Sequence, residues 1–396
     1  MSGQPDLENL EGLWALHHGQ WRHPQQITSH WEAARDTDPD LLKFRVKGAW
    51  WDTLAECGIT LLVTREYEHL VMALQVSGGK PQVSYMRMPH PSGLVVNRQE
   101  NTVHIASTRN PNQVFDLKPV TGLMPRSDVQ QPELIDRPLV PVSSRFLPGC
   151  FYLHDLAIIG GELFANSVGQ NAVVKLARDS APERVWWPRG IETEAGPDFS
   201  KNYLQVNSIA AGDDLAGSFF SASAATISAR RPGHKNFPVD KRGVIFSGAT
   251  REPVATGLTR PHSARFYGSE IWVDNSGYGE LGFAQDGRFK PFLRLPGWTR
   301  GLAFYKNIAF VGTSRVIPRF KQYAPGLDVE KSLCGLHAVD MESGKILGSL
   351  TWPYGNQIFA IDWASRDAIT GFPFSATAKR QTNREKELFY SFQTFY

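Results

Sequence analysis

Six polar residues recur near the starts of six similar segments: His90, His154, Asn207, His262, Arg300 and Gln357. Aligning the segments on the pivots Leu94, Leu156, Ile209, Arg265, Leu302 and Ile361, all apolar but Arg265, brings them close to one level. His90 stands four positions before its pivot, His262 three, and His154, Asn207 and Arg300 two. Neutral imidazoles can coordinate a divalent metal such as Zn, Fe or Cu, and an amide can add an oxygen. His90, His154 and His262 are therefore the expected metal ligands. Asn207, Arg265, Arg300 and Gln357 are the expected substrate-binding residues, because an Arg at the opening of a strand can hold a carboxylate or phosphate bidentately. Arg315 is a further charged candidate. Glu280, in the Gly-flanked loop SGYGELG, is the best-placed general base, with Arg300 as its charged catalytic companion. Asp155 could accept a hydrogen bond behind His154, although strand neighbours point to opposite faces.

Each assignment has a plainer counterpart. His154 and His262 could bond backbone groups and stiffen a channel. Arg265, Arg300 and Arg315 could form ion pairs between repeats, and the glycines around Glu280 could serve only a tight turn. Unpaired polar groups in a closed channel cost about 1–3 kcal/mol each. Their convergence at one level therefore points to a ligand, water or a metal. The sequence has no Walker A loop, dinucleotide fingerprint, GxSxG elbow, HExxH or paired CxxC. No nucleotide cofactor is expected, and nucleophilic Ser or Cys catalysis is not supported.

The elements that must position these residues are short strands. Residues 259–314 hold one complete cycle of four apolar runs, separated by Gly, Asp and Asn turns, and the start of the next. The first run of a cycle recurs as PHPSGLVV, YLHDLAII, QVNSIAA, PHSARFY, TRGLAFY and QIFAIDW. Five second runs end in small polar pairs, in IAST, FANS, FSAS, VDNS and VGTS. A repeating four-strand unit is the signature of a propeller blade. The expected fold is all-β, a six-bladed β-propeller, with a seventh blade left open by the termini. Strands at 59–76 are expected to complete the last blade near 357–375, which removes an exposed sheet edge.

Three segments follow: a helical extension at 1–58, the propeller at 59–376 and an aromatic tail at 377–396. LENLEGLWALHHGQW and SHWEAARDTDPDLLKF have helical spacing, with Ser29 as a cap, and residues 50–58 make a third helix ending at Gly58. His17, His18, His23 and His30 lie in the extension and fit no metal template. Residues 121–149, 179–203 and 224–242 read as long loops, the last of them basic. Phe389, Tyr390, Phe392, Phe395 and Tyr396 should dock on protein. The helices or the tail could support a homo-oligomer.

The chain of 396 residues is 41% hydrophobic and 20% charged, an ordinary globular balance, and its net charge of +3 carries no strong nucleic-acid or membrane footprint. Three cysteines argue against a disulfide framework. With no signal-peptide pattern and no long apolar run, a cytoplasmic location is expected.

At HDLA (154–157), RPHSARF (260–266), NSGYGELG (275–282) and PGWTRGLAF (296–304) the sequence resembles an uncharacterised bacterial family. That family is known as a domain of unknown function of the 4915 type, a set of conserved hypothetical proteins, sometimes beside tetratricopeptide repeats or sulfotransferases. The resemblance spans roughly residues 50–375. It implies a propeller-like all-β domain and no particular reaction. Two functions stay open. One is a metal-dependent enzyme acting on a small molecule or peptide at the polar mouth of the channel. The other is a non-catalytic propeller that binds a peptide or partner protein.

Overall fold

β-Branched and aromatic runs form the strands here because such side chains pack well on a pleated, buried surface. A computed structural model of the protein describes residues 34, 36–108, 112–124, 136–178, 180–230, 234, 236–376 and 392–394. It is mostly β. Strand β1 (Pro91–Asn97) leads an antiparallel sheet continued by Thr102–Ser107, Asn112–Pro119 and Leu139–Leu147. β2 (Leu153–Ile159) leads a second, continued by Glu162–Ser167, Ala172–Lys175 and Glu183–Trp186. β3 (Val206–Ala210) and β4 (Pro261–Tyr267) each lead four strands, joined at their outer edges through the parallel pair Thr256 and Arg288. β5 (Trp298–Tyr305) leads a further sheet, to which Arg45–Gly48 adds an outer strand. β6 (Ala360–Ser365) pairs with Ile59–Arg65, which continues through Leu70–Ser77 to Lys80–Arg87.

These leading strands contact one another in a closed cycle, β1 to β2 and onward through β6 back to β1. The arrangement is that of a propeller. The last sheet combines distant parts of the chain: Ile59 pairs with Ser365 and Thr64 with Ala360. Every residue of Ile59–Arg65 is buried, so the ring has no open edge at this seam.

Helix α1 (Trp50–Cys57) ends at Gly58, whose φ of +65° suits a left-handed cap. It buries Trp50 completely, edge-on to Phe310 at 6.0 Å between ring centroids. Gly348 permits this seat, since a Cβ there would lie 2.3 Å from the Trp50 nitrogen. The helix expected over 29–44 is not formed where that span is described. Pro39 instead starts a short 3-10 turn, Pro39–Leu42, capped by Asp38 Oδ1 at 2.9 Å from the Asp40 nitrogen. The helix expected over 7–21, and His17, His18, His23 and His30, lie outside the described residues.

Two expected loops contain outer strands. Leu139–Leu147 and Glu183–Trp186 each complete a sheet. Pro141 and two serines interrupt the first and Glu183 and Arg184 open the second, so the sequence pattern hides them. In the tail, Phe392 and Gln393 pair with Leu123 and Gly122. The tail's other aromatic residues lie outside the described residues. No described helix is long and apolar enough to cross a membrane.

Candidate functional site

A bulge near the start of each of the strands β1 to β5 sets the direction of the functional side chains. Between the pairs Leu153–Ser167 and Leu156–Ala165, two residues, His154 and Asp155, oppose one. The same interruption falls at Ser92–Gly93, Asn207, Ser263–Ala264 and Arg300–Gly301. A bulge re-aims side chains that strict alternation would fix. It also lets neighbouring strands interlock. A Cβ on Gly93 would lie 2.7 Å from the Asp155 Cα, so β1 and β2 approach closely there.

His154, Asn207, His262, Arg300 and Gln357 line a single cavity of about 990 Å3, together with Arg315. The rings of His154 and His262 are 6.0 Å apart. Behind them Phe359, 1% exposed, meets His154 and His262 edge-on at 5.2 and 5.5 Å. The Arg300 guanidinium lies over the same ring, 3.6 Å from its centroid. Arg300 Nε donates to His262 Nε2 at 3.1 Å, and His262 Nδ1 lies 2.9 Å from Ser263 Oγ. Removal from water, and then the charge of Arg300, hold both imidazoles well below their ordinary pKa.

Gln357 links the cationic and anionic sides. With its amide nitrogen donating to Glu66 Oε2 at 3.0 Å, its oxygen accepts from Arg300 Nη1. Glu66 also accepts from Thr108 Oγ1 at 2.5 Å. Beneath this segment, fully buried Glu68 accepts from the backbone nitrogens of Asn356 and Gln357 and from Arg65. Asn207 Nδ2 bonds Ser223 Oγ at 3.1 Å and the Pro261 carbonyl at 3.2 Å, which fixes it in the wall.

Arg315 donates to the carbonyls of Gly355 (3.2 Å), Pro353 (2.8 Å) and Ser332 (3.4 Å), and burial lowers its pKa. Arg260 bonds Gln205 Oε1 and stacks over Tyr323, 4.7 Å from the ring centroid. Loss of water pushes Arg260 down to about 10. Neither Arg260 nor Arg315 has a carboxylate partner among the described residues.

Three expected site residues stand elsewhere. His90 does not line the cavity. Its φ is +44°, its backbone nitrogen donates to His69 Nδ1 at 3.1 Å, and the two rings pack edge-on at 4.2 Å. The bulge puts Ser92, not His90, in register with His154. Arg265 lies farther along β4 and grips Asp155, Nη1 to Oδ2 at 2.7 Å and Nη2 to Oδ1 at 3.0 Å. Asp155 accepts from the Ile209 nitrogen as well, at 3.0 Å, so it ties β2, β3 and β4 together. Glu280 is held by Asn275 Nδ2 at 2.9 Å and Arg294 at 3.1 Å, away from the cavity.

The expected three-histidine metal set is therefore not brought together. Among the described residues no group of three or more His, Cys, Asp or Glu is arranged to hold a metal. His262 Nε2, the donor such a site would use, is already engaged by Arg300.

Sequence reasoning missed Glu66, Tyr152, Gln205, Arg260, Trp298 and Tyr323, all of which line the cavity. A positional signal existed for three of them. Tyr152, Gln205 and Arg260 each immediately precede a leading strand, with φ of +50°, +52° and +55°. In these three the left-handed residue just before the strand lines the cavity, whereas His90, in the same position before β1, packs its ring on His69 instead.

The model of a family described as "Domain of unknown function (DUF4915)" matches residues 48–368. Among solved structures, the chain is similar to one in a nidogen/laminin complex, with 12% identity, 77% of this chain and 98% of that chain covered, and a TM-score of 0.51. It is also similar to a gluconolactonase from Xanthomonas campestris (10% identity, 75% and 86% covered, TM-score 0.43) and to a streptogramin B lyase (12%, 78% and 98%, TM-score 0.38). At 12% identity the likeness to the first of these is one of fold alone. No curated protein matches the sequence.

Proposed function

The chain belongs to this family of unknown function, and on that premise we propose that it binds a small anionic molecule in the cavity and acts on it by acid–base chemistry. We read the ring as six-bladed, because six leading strands follow one another in a closed cycle. One observation carries the functional reading. Arg260, Arg300 and Arg315 converge on a cavity whose described lining includes a single carboxylate, Glu66. Arg260 and Arg315 are removed from water with no carboxylate partner among the described residues, which is costly. A carboxylate or phosphate entering the cavity would restore the balance and accept paired N–H bonds.

His154 and His262 supply the proton chemistry. Both are neutral at pH 7, and His262 already accepts from Arg300. His154 lines the same cavity, where its imidazole can exchange a proton with a bound ligand. A metal held by these two imidazoles would find no third His, Cys, Asp or Glu arranged with them among the described residues and would have to displace Arg300, so the reading offered is not a metal-dependent one. A non-catalytic protein with the same cavity would bind the anion and leave it unchanged.

Thermal melting with millimolar phosphate, citrate and short carboxylates tests the binding step. Stabilisation should rise with the logarithm of ligand concentration and be lost in Arg260→Gln and Arg315→Gln. A melting temperature indifferent to every small anion would sink the proposal.

A further inference from the structure

We infer that the anion taken by this cavity is a carbohydrate acid: a hydroxyl-rich ring, or a short chain of such rings, carrying a carboxylate, phosphate or sulfate. The inference rests on the anion-binding reading and names its substrate class. Six amide side chains line the cavity: Asn202, Gln205, Asn207, Gln322, Asn356 and Gln357. An amide offers donor and acceptor side by side. A sugar hydroxyl, which gives one hydrogen bond and receives others, is its natural complement. Asn207, Gln205 and Gln357 already have protein partners that orient them, whereas an apolar ligand would leave an unpartnered amide such as Asn356 unmatched, at about 1–3 kcal/mol for each group.

The amides come from separate parts of the chain: the approach to β3, β3 itself, the 3-10 turn at Pro318–Tyr323 and the turn before β6. Asn356 is the sharpest case. It is 1% exposed and lines the cavity, yet neither its Oδ1 nor its Nδ2 has a partner among the described residues.

Three aromatic residues of the wall, Trp298, Phe320 and Tyr323, do not favour a flat ligand. Trp298 and Phe320 pack on each other at 5.5 Å with planes 51° apart, and Phe320 meets Tyr323 at 6.2 Å and 48°. Arg260 already covers the Tyr323 ring. These rings form no parallel slot for a nucleobase or an aryl acid, whereas single aromatic faces suit the C–H side of a pyranose. At about 990 Å3 the cavity lies at the upper end of the roughly 300–1,000 Å3 typical of ligand pockets, so a disaccharide fits better than one ring.

Titration calorimetry on the full chain tests this with named probes: a glucuronate-containing disaccharide, glucose 6-phosphate and N-acetylglucosamine 6-sulfate, against cellobiose, AMP, benzoate and inorganic phosphate. At least one acidic sugar should bind tenfold or more tightly than cellobiose, AMP and benzoate. Asn202→Ala with Gln322→Ala should weaken that sugar about tenfold and leave phosphate binding and melting temperature unchanged. If AMP or benzoate binds as well as every acidic sugar, or no acidic sugar exceeds cellobiose tenfold, the inference is overturned. Phosphate binding would still stand in that event, whereas silence from every anion would remove both readings.

Discussion

Arg300 Nε and His262 Nε2 are 3.1 Å apart, with the guanidinium donating. A fixed positive charge thus sits against an imidazole nitrogen that must be free of its proton. The remaining ring proton then belongs on Nδ1, facing Ser263 Oγ at 2.9 Å. Ser263 Oγ in turn accepts from the Gly301 nitrogen at 2.8 Å, one residue beyond Arg300. Backbone, serine, imidazole and guanidinium therefore hold each other in one protonation state.

That state has a cost at low pH. His154, His262 and His337 are all held below the ordinary imidazole pKa of 6.5, with loss of water as the first cause, and His337 falls to about 4. In the unfolded chain they protonate near 6.5. Their contribution is complete above that pH and is lost as pH falls toward the folded values, at up to about 1.4 kcal/mol per pH unit for each group. Melting temperature should be level from pH 8 to 7 and drop below 6.5, and His337→Gln should make the decline shallower. A melting temperature constant down to pH 5 would contradict this.

Asp155 should be the most sensitive carboxylate in the ring. It accepts from Arg265 twice, from Ile209 at 3.0 Å and from its own neighbour Leu156 at 3.1 Å. Asp155→Ala strands a guanidinium and two backbone donors, a loss of about 3–5 kcal/mol. Urea unfolding should show it, and the double variant Asp155→Ala with Arg265→Met should recover part of the loss. Equal midpoints for Asp155→Ala and wild type would refute the shared anchor.

Asp274 should behave in the opposite way. It is fully buried, paired across the sheet with His262, and burial raises its carboxyl pKa well above 3.8. Stability is therefore lost as pH rises from about 3.8 through the folded pKa. Asp274→Asn removes that charging cost and should stabilise the protein by about 1 kcal/mol or more at pH 7, with no gain at pH 3.5. Destabilisation at pH 7 would show that the carboxylate is needed.

The seam between Ile59–Arg65 and β6 can be tested by truncation. A chain beginning at residue 78 lacks two strands of that sheet, Ile59–Arg65 and Leu70–Ser77. It should be insoluble or melt far lower. A soluble truncation with unchanged melting temperature would mean that the pairing contributes nothing.

The repeat was legible because its signals are local. IAST, FANS, FSAS, VDNS and VGTS close the second strands, and four of their small polar residues pair with the first residues of β1, β2, β4 and β5: Ser107, Ser167, Asn275 and Ser314. The level of the site was legible only in part. Counting back from an apolar pivot assumes one partner per residue, and the bulges break that count. His90 was thereby matched to His154, although Ser92 holds that place. Arg265 and Glu280 carried charge in suggestive positions, but their partners, Asp155 and Arg294, lie 110 and 14 residues away. No spacing rule reveals such pairings. Glu66 and Tyr323 were hidden for a related reason, since each reaches the cavity from a turn or loop rather than from a leading strand.

The seam also governs timing. Ile59–Arg65 is made early, yet its partner β6 starts at residue 360. At roughly 5–20 residues per second of synthesis, that strand waits about 15–60 s for its mate. Throughout this interval a seven-residue stretch that is wholly buried in the finished ring has one flank open to other nascent chains. Association with other chains at that flank is then a route by which folded protein is lost during expression, and added holdase should raise the soluble yield.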